Sequence, residues 1–103
     1  MRIHIVCGAG ASSTFVAVRL RRSATARGLQ VQVTAGSETD LVNVLPAVDV
    51  LLVGPHLAGA FTGIQEQALR VGARARLLPS TVFTARDGEA ALDLALDAAD
   101  DRV

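Results

Sequence analysis

The chain is expected to fold as an α/β domain with a four-stranded parallel sheet in the order 2-1-3-4 and helices on both faces. Three observations predict the alternating strands and helices of a parallel α/β sheet. Short apolar runs alternate along the chain with longer stretches of helical periodicity. One run, Val50-Leu51-Leu52-Val53, is apolar at every position, as a parallel strand covered on both faces is. Glycine or proline punctuates the ends of these units at Gly28, Gly54-Pro55 and Pro79. Parallel neighbours need crossover connections, and these are right-handed.

The elements follow in order. Ile3 to Val6 reads as a buried strand. Ser12 or Ser13 caps a helix running to about Arg27, and Gly28 ends it. Phe15, Val16, Val18, Leu20 and Ala24 are its apolar positions, and Arg19, Arg21, Arg22 and Arg27 make the other side basic. Leu29 to Thr34 is the second strand, and Ala35 to Asp40 a loop. Leu41 to Pro46 is a short helix or turn, and Asp49 to Val53 the third strand. Leu57 to Val71 reads as a second long helix with Phe61 in the core. Arg74 to Leu78 is the fourth strand, Ser80 to Arg86 a loop, and Asp87 to Asp100 a final helix. Asp87 stands there as a cap or first-turn acid.

A chain of 103 residues is expected to form a single domain over 1–103. Half of it is hydrophobic and only three residues are aromatic, so Val, Leu, Ile and Ala must build the core. Ten basic residues, all arginine, balance ten acidic ones, which leaves no overall pull toward nucleic acid or an anionic membrane. The N-terminus runs straight into a strand, unlike a signal peptide, and the longest apolar stretch is too short and broken to cross a bilayer. The expectation is a cytoplasmic protein that reaches a membrane only through a partner.

The chemistry concentrates at Cys7, the one cysteine, which cannot make an internal disulfide. It ends the first strand and is followed by Gly8, Ala9, Gly10, Ala11, Ser12, Ser13 and Thr14 before the helix. Backbone N–H groups of such a loop can point at phosphate, with the helix N-terminus adding partial positive charge. The same field favours thiolate over thiol, whose ordinary pKa is about 8.5. In the order 2-1-3-4 the loops after strands one and three flank the point where the strand order reverses, where ligands bind in such sheets.

Rival motifs fail on counting. A cysteine-phosphatase loop places arginine six positions after the nucleophile, and Ser13 is there. A nucleotide P-loop needs lysine, which the chain lacks. The dinucleotide fingerprint matches at Gly8 and Gly10 and stops at Ser13. Two histidines and one cysteine without ligand spacing give no metal site, and no cofactor is expected. The bland alternative for Cys7 is a small packed side chain.

His4 lies mid-strand on the face opposite Ile3 and Ile5 and reads as structural. His56, after Gly54-Pro55, and Arg86, before the last helix, are placed at the edge of the site. Phe83, in the loop after strand four, stands as a docking contact by position alone.

These residues resemble the IIB component of the bacterial sugar phosphotransferase system (PTS), of the lactose/cellobiose/chitobiose type. The resemblance rests on Ile5-Val6-Cys7-Gly8-Ala9-Gly10-Ala11-Ser12-Ser13-Thr14, on Val50-Leu51-Leu52-Val53-Gly54-Pro55-His56 and on Ile64-Gln65, with a weaker echo from Leu78 to Gly88. The glycine-rich loop is also similar to the galactitol and ascorbate types. The resemblance implies a phosphatase/flavodoxin-like three-layer sandwich. It implies a phosphocarrier in which Cys7 takes a phosphoryl group from a phosphohistidine of a IIA component. Cys7 then passes it to a sugar held by the membrane IIC component, so the protein would be peripheral to the membrane through IIC. Gly8 to Thr14 would hold the phosphoryl group. The alternatives are a low-molecular-weight cysteine phosphatase and a non-catalytic regulatory module.

Overall fold

The computed structural model describes residues 1–7, 11–37, 39, 41–83 and 87–100. Strands β1 (Arg2–Cys7), β2 (Gln32–Ser37), β3 (Val50–Val53) and β4 (Arg74–Leu77) form one all-parallel sheet in the order β2-β1-β3-β4. The connections carry helices α1 (Ala11–Ala26), α2 (Leu41–Val44) and α3 (Phe61–Arg70), and α4 (Glu89–Asp100) follows β4. The predicted order and parallel sense are those observed.

Strand alternation divides the core in two. Ile3, Ile5, Val50 and Leu52 point to one face and meet Val16, Leu20 and Ala24 of α1 and Leu92, Ala95 and Ala98 of α4. Val6, Leu51 and Val53 point to the other and meet Leu41, Leu45, Ile64 and Ala68. All four β3 residues are buried, which is why their run is apolar without alternation.

His4 faces the second side and is only 2 % exposed. A hydrogen bond of 2.7 Å joins its Nδ1 to Thr34 Oγ1 on the neighbouring strand, so the structural reading holds. Thr34→Val strips this partner from a buried ring and is expected to cost about 1–2 kcal/mol. The check is a lower urea midpoint at unchanged slope.

Several boundaries move from their expected places. The expected strand over 29–34 begins instead at Gln32, because Leu29 is spent ending α1. Its N–H donates to Ala24 O at 2.9 Å, and Gly28 N–H donates to Thr25 O at 3.0 Å. Gly28 sits at φ 72°, the left-handed conformation such a helix end requires. The strand then runs on through Ala35, Gly36 and Ser37, the expected loop, because β1 continues beside it to Cys7. Their weak strand propensity is overridden by a paired neighbour. The expected helix over 57–71 is a 3-10 helix, Pro55–Ala60, kinked at Leu57, followed by α3. The loop after β4 likewise contains a 3-10 turn, Ser80–Phe83.

Helix α1 starts at Ala11, so Ser12 and Ser13 lie in its first turn and neither is the cap. Phe15, expected on the apolar side, is 65 % exposed. The buried positions are Val16, Ala17, Leu20, Ser23 and Ala24, and that stripe leaves Phe15 on the flank with Arg19 and Arg22. Phe61 is half-buried against the second core.

Helices α1 and α4 meet at their backbones. Gly88 precedes α4 so closely that a Cβ there would lie 2.4 Å from Leu20 N and 2.5 Å from the Arg19 carbonyl carbon. The buried Ser23 hydroxyl accepts the Gly88 N–H at 3.1 Å. Asp87 accepts the Glu89 N–H at 3.1 Å, which fits its expected capping role. At the far end of α1, Arg27 pairs with Glu89 and, at 2.9 Å, with Asp93. Asp93 first, then Glu89, raises the Arg27 guanidinium above its ordinary pKa.

Candidate functional site

Every strand delivers its carboxyl end to one rim of the sheet, and Cys7 is the last residue of β1, a central strand. Its register partner across the ladder is Ser37, the last residue of β2. On the other side the Gly54 N–H donates to Val6 O at 2.8 Å, which brings the end of β3 against the residue before Cys7. Leu78 N–H donates to Val53 O at 2.7 Å and does the same for the chain leaving β4. The four exits are therefore held in step by backbone hydrogen bonds.

Helical elements close around this rim. Helix α1 opens four residues after Cys7, and its first turn contains no acidic residue to neutralise the positive end of its dipole. The 3-10 helix Pro55–Ala60 packs against β1, and the turn Ser80–Phe83 packs against α1. Proline at the first position of the former suits a helix start, since its missing N–H has no helical acceptor there. His56 follows it and is exposed on the rim. Thr14, also exposed, stands one turn into α1 beside Phe15. Ser37 Oγ and Thr39 Oγ1 are 2.8 Å apart at the exit of β2.

Of the residues expected in the site, Gly8, Ala9, Gly10 and Arg86 lie outside the described residues, as do the side chains of Cys7, Ala11, Ser12, Ser13 and Phe83. The backbone of Cys7 and of Ala11 to Thr14, with His56, falls on the one rim. The sequence reading missed Phe15 and the Ser37–Thr39 hydroxyl pair as features of this rim. The spacing of Val16, Leu20 and Ala24 was the available signal for the first. The second was hidden by assigning residues 35–40 to a loop.

A cleft of about 570 Å³ between α2 and α3 opens near the same end, lined by Thr39, Leu41, Gly59, Ala60, Gly63 and Gln67 among others. A larger cleft, about 820 Å³, lies at the opposite end, against Met1, Arg2 and Gln32. Size therefore does not locate the chemistry here; strand polarity does. Among the described residues no cluster of metal-ligating side chains occurs. No helix among them is long and apolar enough to cross a membrane.

This arrangement defines a small α/β domain with an all-parallel sheet in the order β2-β1-β3-β4, and solved structures share it. The fold is similar to the lactose-specific IIB domain from Streptococcus pneumoniae, with a TM-score of 0.85 and 14 % identity over 95 % of this chain and 96 % of that one. It is also similar to the cellobiose-specific IIB protein from Borrelia burgdorferi, with a TM-score of 0.78 and 26 % identity over 99 % and 94 % of the two chains. Residues 2–94 match the family of lactose/cellobiose-specific IIB subunits of the PTS, and the chain belongs to that family. Membership carries a general role in sugar phosphotransfer. No curated protein matches the chain.

Proposed function

We propose that this protein, as a single IIB domain over 1–103, is a phosphocarrier that works through a phosphocysteine at Cys7. The Cys7 thiolate attacks the phosphorus of a phosphohistidine on a IIA component. The S–P bond forms as the P–N bond breaks, and the imidazole leaves with the electron pair and takes up a proton. A hydroxyl oxygen of a sugar held by the membrane IIC component then attacks the same phosphorus. The thiolate is released, and the hydroxyl proton goes to a base at the acceptor. The backbone from Gly8 to Thr14 holds the phosphoryl oxygens in both steps. His56 and Arg86 flank the site.

One observation carries the reading: Cys7 closes a central strand immediately before an α1 whose first turn bears no carboxylate, in a chain of the IIB family. That terminus favours both a thiolate and a bound phosphoryl group. Incubation with a phosphorylated IIA component, followed by intact mass measurement, should show a gain of one phosphoryl group. No gain with several IIA types would overturn the proposal.

Ser13 supplies a second test. A phosphatase uses arginine at this position to stabilise attack by water, whereas a carrier must keep its phosphocysteine until the acceptor arrives. Ser13→Arg should shorten the half-life of the phosphorylated protein in buffer by about tenfold or more, a barrier change of about 1.4 kcal/mol. An unchanged half-life would count against this account of the loop.

A further inference from the structure

Arg19, Arg21, Arg22 and Arg27 lie on α1 or just past its end, and the structure sets them to different tasks. Arg27 pairs with Glu89 and Asp93. Arg21 turns to the sheet edge, where its Nη2 donates to the Val33 carbonyl at 2.7 Å. Arg19 and Arg22 form no ion pair with a described residue. Asp87 and Glu89 line a shallow cleft of about 250 Å³ with them. Those two carboxylates are engaged elsewhere, Asp87 on the Glu89 N–H and Glu89 on Arg27.

Phe15 shares their flank. Positions 15, 19 and 22 follow at intervals of four and three residues, which stacks them on one helix face. By helix rise, Arg19 lies about 6 Å and Arg22 about 10 Å beyond Phe15 along the axis. Phe15 is the most exposed large apolar residue among those described. The flank is thus an aromatic at the strand exits followed by two cations running down the helix. It is continuous with the rim on which Cys7 ends β1. A standard interface buries about 800 Å² on each partner, a patch about 30 Å across, so a partner seated over the rim also covers the first turns of α1.

We infer that this flank docks the phosphohistidine donor and not the membrane-held acceptor, an assignment that rests on Cys7 being the phosphocarrier. The donor arrives with an anionic phosphoryl group on its contact face, and carboxylates around such a face would complete the match to Arg19 and Arg22. Cytoplasmic loops of a membrane protein carry an excess of Lys and Arg, which would meet the same two residues with like charge. The flank therefore attracts one partner and repels the other. Phe15 supplies the anchor, an aromatic side chain that fills an apolar socket on the donor. Cys7 meets both partners, and α1 holds only one of them. Once the phosphoryl group has moved to Cys7, the donor face has lost that charge, and the hold of the flank on it weakens before the acceptor arrives.

The two half-reactions, measured separately, test this. Charging is followed by quenched-flow mass measurement with a phosphorylated IIA component, and discharge with membranes holding the IIC component and its sugar. Phe15→Ala should raise the donor concentration for half-maximal charging about tenfold, with the maximal rate and the discharge rate unchanged. Arg19→Ala combined with Arg22→Ala should slow charging about tenfold at low donor concentration and low ionic strength, and should flatten its salt dependence. Discharge by that variant should hold or rise. Arg19→Lys combined with Arg22→Lys should keep the wild-type salt dependence. Leu69→Ala and Arg70→Ala make the same changes at exposed positions of α3 and should leave both half-reactions unchanged. Wild-type charging that no flank variant alters would overturn the inference and leave the phosphocarrier role standing. Equal losses in charging and discharge would overturn the donor as the occupant. A wild type that accepts no phosphoryl group from any IIA type would remove the phosphocarrier role and this inference together.

Discussion

Cys7→Ser should abolish phosphoryl transfer from a phosphorylated IIA component, with the rate falling roughly a thousandfold or more, while the protein stays folded. The physical cause is the nucleophile. A thiol near a helix N-terminus ionises close to neutral pH, and its sulfur attacks phosphorus without a neighbouring base. A serine hydroxyl in the same place keeps its proton. The described surroundings include no carboxylate in the first turn of α1 to take that proton. The substitution changes one atom at the end of a strand whose pairing is through backbone groups, so thermal unfolding should be nearly unaffected. The two readouts together matter. Loss of mass gain with an unchanged melt assigns the acceptor. Retained mass gain would move the phosphoryl group to another residue and leave Cys7 with a packing role.

Gly88→Ala should be far more destabilising than the same methyl addition at Gly36, Gly59 or Gly63. A Cβ at this position meets the backbone of α1 at 2.4–2.5 Å, and backbone has no rotamer with which to move aside. By contrast, a Cβ at Gly59 or Gly63 meets nothing within 4 Å. To accept the methyl, α4 must lift from α1, loosening Leu92 and Ala95 from the core and stretching the hydrogen bond from Gly88 to Ser23. Overpacking of this kind costs about 3 kcal/mol. For a chain of this size that lowers Tm by about 15 °C. Gly59→Ala measured alongside should change Tm little. An unchanged melt for Gly88→Ala would mean that the two helices are not seated as closely as described.

The architecture was legible because its signals are strong and redundant. The all-apolar run 50–53, the separate β1 run, Gly28 after the first helix and the Gly54-Pro55 and Pro79 stops are enough to give the strands, their order of appearance and the crossovers. The order 2-1-3-4 was the arrangement that sets the loops after strands one and three at a switch point, and the observed sheet has it. What escaped the sequence were features that depend on a neighbour. Ala35-Gly36-Ser37 has no strand character of its own and is extended because β1 lies beside it. Leu29 has strand character and is diverted into closing a helix. Phe15 is the largest apolar residue near the start of α1, and hydrophobicity alone assigned it to the core; the phase of Val16, Leu20 and Ala24 put it outside. At the site, Cys7 and the 11–14 segment were found by chemistry and are placed on the rim by the backbone. Arg86, Gly8, Ala9 and Gly10 fall outside the described residues, so their expected part rests on the proposed function.

The seating of α1 separates what the molecule must keep from what it can change. Its anchors are in the middle and at the far end: Leu20 under Gly88, Ser23 on the Gly88 N–H, Arg21 on the edge of β2, and Arg27 between Glu89 and Asp93. Its opening turn contributes exposed Thr14 and Phe15 and none of those anchors. A helix fixed in this way keeps its direction whatever chain is attached in front of it. The direction of the helix that follows Cys7 is thus set from its middle and its far end, well away from the strand exits.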